Sequence, residues 1–193
     1  TKDINVITLN YTNTLEKILG LNPNITTKGF GGNTNLRNII HVHGQLGESI
    51  IIGVDHPAQM KNEAFRNNED IKDIMIKIES NESMKEIRHM ECERLIANAN
   101  VIVLFGVSLG ETDARWWKLI GQNLKRRRNV AIIQHLYNPG AINPTQRQKI
   151  RQLERKQQEY LLQRMEVKME IGDVDIRDRL FFTVNEPVFQ ILP

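Results

Sequence analysis

The sequence predicts a mixed α/β fold: one mostly parallel sheet with helices on both faces, three layers in all. Three observations carry this. Short apolar runs bounded by turn residues alternate with segments of helical spacing, the order a parallel sheet needs because each crossover brings a covering helix. The run Val101-Ile102-Val103-Leu104-Phe105 is apolar throughout, as expected of a parallel strand covered on both faces. Polar clusters follow three of the runs, where open parallel sheets place their ligand-binding loops.

The predicted strands are Asn5 to Leu9, Asn38 to His43, Ser49 to Ile52, Val101 to Phe105 and Asn129 to Ile133, with a last run, Arg179 to Val184, at a sheet edge. The helices fall between them. Leu15, Ile18 and Leu19 have helical spacing, and Gly20 supplies the glycine stop. A long helical stretch spans Asp70 to Ala99, with Ile71, Ile74, Met75 and Ile78 at i, i+3, i+4, i+7 and an interruption at Ser80-Asn81-Glu82-Ser83. Its second part carries Met84, Ile87, Cys92, Leu95, Ile96 and Ala99. Trp116, Leu119, Ile120 and Leu124 mark a helix after the fourth strand. Pro144 suits the first turn of another, running to about Met165 with a thin apolar stripe (Ile150, Leu153, Tyr160, Leu161) and therefore solvated or against a partner. Asn22 to Asn38, rich in Gly, Asn and Thr, reads as an irregular loop.

Composition narrows the function classes. The chain of 193 residues suits one domain with a real core, and residues 1–193 are read as a single domain. With 40% hydrophobic and 25% charged residues, wholesale disorder is excluded. A formal charge of +3, from 26 basic against 23 acidic residues, demands no polyanionic partner. The one dense basic run, Lys125-Arg126-Arg127-Arg128, sits at a predicted helix C-terminus, where cations favour the helix dipole. A solvated face is expected there, and nucleic acid is not an expected partner. A single cysteine, Cys92, fits a reducing cytoplasm and reads as a small buried side chain. No apolar run approaches the roughly 18 residues of a membrane span, and no signal peptide is legible.

The clusters that could carry chemistry are Thr8-Leu9-Asn10-Tyr11-Thr12-Asn13, His41-Val42-His43-Gly44 and Phe105 to Asp113. Asn offers a donor and an acceptor, and an imidazole can accept a proton at neutral pH. Gly106 permits close backbone approach to a ligand, and a helix starting near Glu111 would aim free amides at phosphate. Plainer roles stand beside these. Asn10 and Thr12 could cap the helix before Leu15, His43 could be a satisfied turn histidine, and Asp113 could cap the next helix. Adjacent Trp116 and Trp117 cannot both face inward on one helix, so one packs and the other could line a pocket. His41 and His43 share a sheet face, but no third ligand has convincing spacing and no metal is expected. No acidic cluster typical of a magnesium site appears at the strand ends, which argues against a nuclease.

Taken in order, the three clusters resemble the bacteriophage abortive-infection AbiH family, whose members share a sirtuin-like, Rossmann-like NAD-binding architecture. The resemblance is carried by Leu9 to Glu16, His41 to Gly44 and Phe105 to Trp117, and covers roughly residues 4 to 134 with the connecting elements. The sirtuin-like pattern is Thr-Gln-Asn-x-Asp, then His-Gly, then Gly-x-Ser. Thr8 and Asn10 match the first, His43 and Gly44 the second, Gly106 and Ser108 the third. The resemblance implies that Asn10 lies beside the nicotinamide ribose and orients a water, and that His43 is a base toward a ribose hydroxyl. Gly106 and Ser108 would sit near the adenosine ribose or phosphate, with Thr8, Thr12, Gly44 and Asp113 completing the cofactor contacts.

Thr12 stands where many sirtuin-like proteins have aspartate. The first strand and glycine-rich phosphate loop of such a fold would precede Thr1, so the chain is read as lacking that strand and as the C-terminal part of a longer protein. The implied function is phage defence by abortive infection, with NAD as ligand or as substrate of an NAD glycohydrolase. The implied partners are a phage-derived trigger and further copies of the chain. The alternative is a non-catalytic binding or sensor module that recognises a phage protein or nucleic acid.

Overall fold

The first predicted strand forms as β1 (Lys2–Thr8) and pairs in parallel with β3 (Thr34–His41), from Lys2 opposite Thr34 to Thr8 opposite His41, with a register shift between Ile4 and Asn5. This is a computed structural model, and it describes residues 2–21, 28–29, 33–77, 87–137, 147–169 and 174–185. The backbone divides into two compact units, 1–95 and 96–193. Among the described residues, the first unit holds a sheet ordered β1-β3-β2, with β2 at Lys28–Gly29, and the second a sheet ordered β4 (Val101–Leu104), β5 (Ala131–Leu136), β6 (Leu180–Val184), where one continuous sheet was predicted.

In the first unit, β2 (Lys28–Gly29) joins β3 antiparallel, inside the stretch predicted to be irregular loop. The first half of β3 lies in that stretch too, because Leu36 is fully buried and anchors a strand that its polar neighbours conceal in sequence. Asn22 to Thr27 and Phe30 to Gly32 lie outside the described residues. Helix α1 (Thr14–Ile18) follows β1 and ends before Gly20, at φ +63°, as predicted.

The strand predicted at Ser49 to Ile52 does not form. Ile51 is buried and its N–H donates to the His43 carbonyl (2.8 Å), but the segment joins no ladder and Ile52 points out. Past Val54 come a single 3-10 turn (Pro57–Gln59), α2 (Glu63–Arg66) and α3 (Glu69–Met75). Helix α3 stops short of the predicted Ile78. Ile76 turns extended, is buried, and bridges Val54 in parallel, leaving Ile74 (68%) and Met75 exposed. Burying Ile76 against an extended partner thus overrides the helical period. The predicted break at Ser80 to Ser83 lies outside the described residues. Helix α4 (Arg88–Asn98) realises the second helical part, with Cys92 and Ile96 buried.

In the second unit, β4 (Val101–Leu104), β5 (Ala131–Leu136) and β6 (Leu180–Val184) are all parallel, with Val101 opposite Ala131 and Ile132 opposite Leu180. The edge position predicted for the last run holds. The two-faced burial of β4 does not: Val101 and Val103 are each 57% exposed while Leu104 is buried. Helix α5 (Ala114–Arg126) buries Trp116, Trp117, Ile120, Asn123 and Leu124. Contrary to the expectation that one tryptophan faces outward, both are 4% exposed. The buried arc of this helix is wide enough for neighbours one step apart, and the Arg115 guanidinium lies 5.9 Å from the Trp116 ring centroid.

Helix α6 (Arg147–Arg164) covers most of the predicted 144–165 span, with Pro144 outside the described residues. Its burial concentrates in the last turn, at Leu161, Leu162 and the following Met165, so the rest of the helix is as solvated as its thin stripe implied. A short helix, α7 (Val174–Arg177), precedes β6. There Arg179 donates from one nitrogen to the carbonyls of Leu124, Arg127 and Val130 (2.9–3.0 Å), tying the end of α5 to the sheet. That nitrogen has two hydrogens for three carbonyls, so at least one hydrogen is shared and the staple is worth less than three full charge-assisted bonds of about 1.5–3 kcal/mol each.

Candidate functional site

In the first unit the loop between β1 and α1 is held from the end of β3. His41, buried at the last position of β3, places Nδ1 2.7 Å from the Asn10 carbonyl and Nε2 2.7 Å from Glu16 Oε1. A carbonyl only accepts, so Nδ1–H donates to Asn10, and one proton is shared between Nε2 and the Glu16 carboxylate. The Asn10 N–H donates to Thr8 Oγ1 (3.1 Å). Both backbone polar groups of Asn10 are therefore engaged, while the residue itself is exposed. Thr12 is also exposed and shares a hydrogen bond with the Thr14 hydroxyl (2.9 Å). Neither Asn10 nor Thr12 occupies the cap position of α1: that is Asn13, which makes no side-chain cap bond.

His43 lies two residues past His41, in the turn, and is 3% exposed. Its Nε2 is 3.5 Å from the Lys77 ammonium, itself 5% exposed and 4.0 Å from Asp55 Oδ1. An ammonium has only donors, so Nε2 is the acceptor in this contact. Tyr11 and His89 complete the group, with ring centroids 6.3 and 6.4 Å from that of His43. Tyr11 also donates from its hydroxyl to the Ile51 carbonyl (3.3 Å). Gly44 has φ +86°, and a Cβ there would overlap the Ser49 carbonyl oxygen. Here glycine is what the turn requires.

The second unit presents a different site. After β4 the chain runs through Phe105, Gly106 (φ +63°) and Ser108 to Leu109, which is fully buried at φ +54°. A 3-10 turn (Glu111–Asp113) leads into α5. Several side chains fix this loop. Trp117 Nε1–H donates to the Gly110 carbonyl (2.9 Å), Arg164 Nε–H to the Leu109 carbonyl (2.7 Å), and the Tyr160 hydroxyl to the Ser108 carbonyl (3.4 Å). Asp113 stands at the cap position of α5 without a side-chain cap bond, and its carboxylate accepts from Thr112 Oγ1 (3.4 Å).

A cavity of about 530 Å³ opens at the carboxyl ends of β4 and β5. Residues 105–109 form one wall, Gln134 to Tyr137 another, and Gln157 and Tyr160 of α6 a third. Among the described residues, no Lys, Arg, Asp or Glu lines it. Phe105 stacks on His135 with centroids 5.2 Å apart, His135 Nδ1 lies 2.9 Å from the Thr183 hydroxyl, and the Gln157 amide donates to Gln134 (3.2 Å). An apolar, aromatic-lined cleft with a few amides suits a flat, uncharged ring.

The predicted site residues thus fall into two groups, each within its own unit. Thr8, Asn10, Thr12, His43 and Gly44 belong to the first, Gly106, Ser108 and Asp113 to the second. Sequence reasoning gave no role to Glu16, Asp55, Lys77 or His89, nor to the wall from β5 and α6. Treating the end of β5 like the other strand ends would have exposed His135-Leu136-Tyr137; nothing in sequence pairs Lys77 with His43. The basic run is partly consumed by structure: Arg126 and Arg127 donate to the Ala97 carbonyl, and Arg127 also to that of Ala99. Among the described residues, no three His, Cys, Asp or Glu side chains gather to hold a metal ion. None of the described helices is long and apolar enough to cross a membrane.

These features define a mixed α/β protein with polar strand-end loops in one unit and an aromatic-lined cleft at the strand ends of the other. The family model for bacteriophage abortive infection AbiH matches residues 1–135, and the chain belongs to that family. No curated protein and no solved structure matches it.

Proposed function

We propose that this AbiH chain is a nucleotide-binding part of an abortive-infection effector, that its fold is sirtuin-like and three-layered, and that its ligand is NAD. The observation that carries the reading is the uncharged, aromatic-walled cavity beside Gly106 and Ser108, at the carboxyl ends of parallel strands. Taken by itself, this cavity of the second unit suits the flat base of a nucleotide. In the hydrolytic form of the proposal, water oriented by the exposed Asn10 carboxamide attacks the ribose carbon bearing nicotinamide. The carbon–nitrogen bond breaks, nicotinamide leaves with the bonding pair, and the water's second proton passes to solvent. His43 accepts a ribose hydroxyl proton during the reaction and returns it.

Incubating the protein with NAD and quantifying nicotinamide tests this. Wild type is expected to release it, and His43→Ala to lower the rate roughly 10²–10⁴-fold, as loss of a general base does. A His43→Ala protein as active as wild type removes the base.

The second reading is a binding or sensor module without hydrolysis, recognising a phage protein. It is favoured by the burial of His43 and by the Lys77 ammonium facing its Nε2. A thermal-shift titration separates the readings. Stabilisation by NAD or ADP-ribose supports the nucleotide-binding reading; none by either, with salt-sensitive nucleic-acid binding through Lys125 to Arg128 or binding of a phage protein, supports the module.

A further inference from the structure

We propose that Glu16 and His41 are positioning residues for Asn10. Resting on the reading of Asn10 as a ligand-contacting residue, the inference adds the pair that holds it. Three observations converge. Asn10 is exposed, yet its N–H and C=O are both bonded to side chains, those of Thr8 and His41. His41 is buried with both ring nitrogens engaged at 2.7 Å, so it is locked in one orientation by Glu16 and spends its other nitrogen on Asn10. Finally, Glu16 Oε2 is shut away from solvent with no hydrogen-bond partner among the described residues.

Leaving one oxygen of a partly buried carboxylate without a partner is costly, and a helix as short as α1 gains little from it. What the arrangement fixes is the backbone of an exposed loop residue, leaving its carboxamide presented outward. A histidine oriented by a carboxylate and aimed at a third group is a common way to hold chemistry in place. Here the third group is a main-chain carbonyl, and the pair acts through it.

The experiment uses the full chain carrying Glu16→Ala, Glu16→Gln or Glu16→Leu, each with and without Asn10→Ala. Glu16→Leu keeps the bulk and serves if Glu16→Ala fails to fold. The first readout needs no ligand. In amide-resolved NMR, losing the carboxylate should shift the Asn10 and Tyr11 amides and speed Asn10 exchange, while Val6 and Ile39 in the sheet stay put. Glu16→Gln, which can still bond Nε2, should largely restore them. Unmoved Asn10 signals, or equal movement throughout the sheet, overturn the proposal.

The second readout is NAD affinity by titration calorimetry. Glu16→Ala should weaken it roughly tenfold, within the range that misplacing a contact produces, and should have no further effect in the Asn10→Ala background. Equal losses in both backgrounds overturn the proposal. If wild type binds no NAD, the ligand assignment fails, while the NMR readout still decides the positioning role.

Discussion

The ends of β1 and β3 in the first unit and of β4 and β5 in the second are equivalent places on parallel strands, yet they are built from opposite chemistry. The first gathers His41, Glu16, His43, Lys77 and Asp55, groups that hold or share protons and charges at 2.7–4.0 Å. The second is lined by aromatic rings and amides, with no Lys, Arg, Asp or Glu among the described residues around its cavity. Parallel pairing decides where loops emerge, whereas the residues on those loops decide whether the place handles charge or shape. Charge in a dry setting also needs tight geometry, while a cleft that accepts a ring tolerates slack.

The two glycines test that contrast most directly. Gly44→Ala should be the most damaging change, at roughly 3 kcal/mol or more in denaturant unfolding, because left-handed strain adds to overlap with the Ser49 carbonyl. Gly106→Ala meets open space and should cost only about 1 kcal/mol from its positive φ. Equal costs at both positions would break the distinction between a tight turn and an open cleft. Smaller still is Thr12→Val, expected within about 0.5 kcal/mol of wild type, since it removes one exposed hydroxyl pair.

The least effect is expected at Cys92. Burial pushes its thiol up to about 12, with neighbouring Glu91 and Glu93 adding to the rise. A thiol-reactive reagent at neutral pH should leave the folded protein unlabelled and label it fully in denaturant. The linkage follows in sign. With the folded thiol raised above the unfolded one, its contribution to stability is complete below the ordinary thiol range and fades as pH climbs toward 12. Rapid labelling at neutral pH would mean the helix carrying Cys92 opens locally.

The legible parts of the fold were those with strong local signals. β1, β4 and β5 announce themselves as apolar runs, and α1 by its spacing and glycine stop. The illegible parts were decided by distant partners. Ser49 to Ile52 looks like a strand, but the backbone there bonds to the His43 turn instead of a ladder. Ile76 leaves its helix to bridge Val54, twenty-two residues earlier in sequence numbering, at a place no periodicity marks. β2 was hidden in a glycine-rich stretch because two residues pairing with Asn35 and Leu36 carry no hydrophobic pattern of their own.

For the candidate site, local chemistry named Asn10, His43, Gly44, Gly106 and Ser108, because turn residues after apolar runs are visible in a sequence. It could not say that His41 bonds the Asn10 carbonyl, or that Tyr160 and Arg164 on a distant helix bind the carbonyls of Ser108 and Leu109. Family membership and the strand-end loops were thus written in the chain's order of residues. Which histidine shares a proton with a carboxylate, which faces an ammonium, and which wall closes the cavity were settled by tertiary structure. Hydrogen bonds and burial act over a few ångströms of space, and the chain brings together residues 25, 34 and 52 positions apart to meet that range.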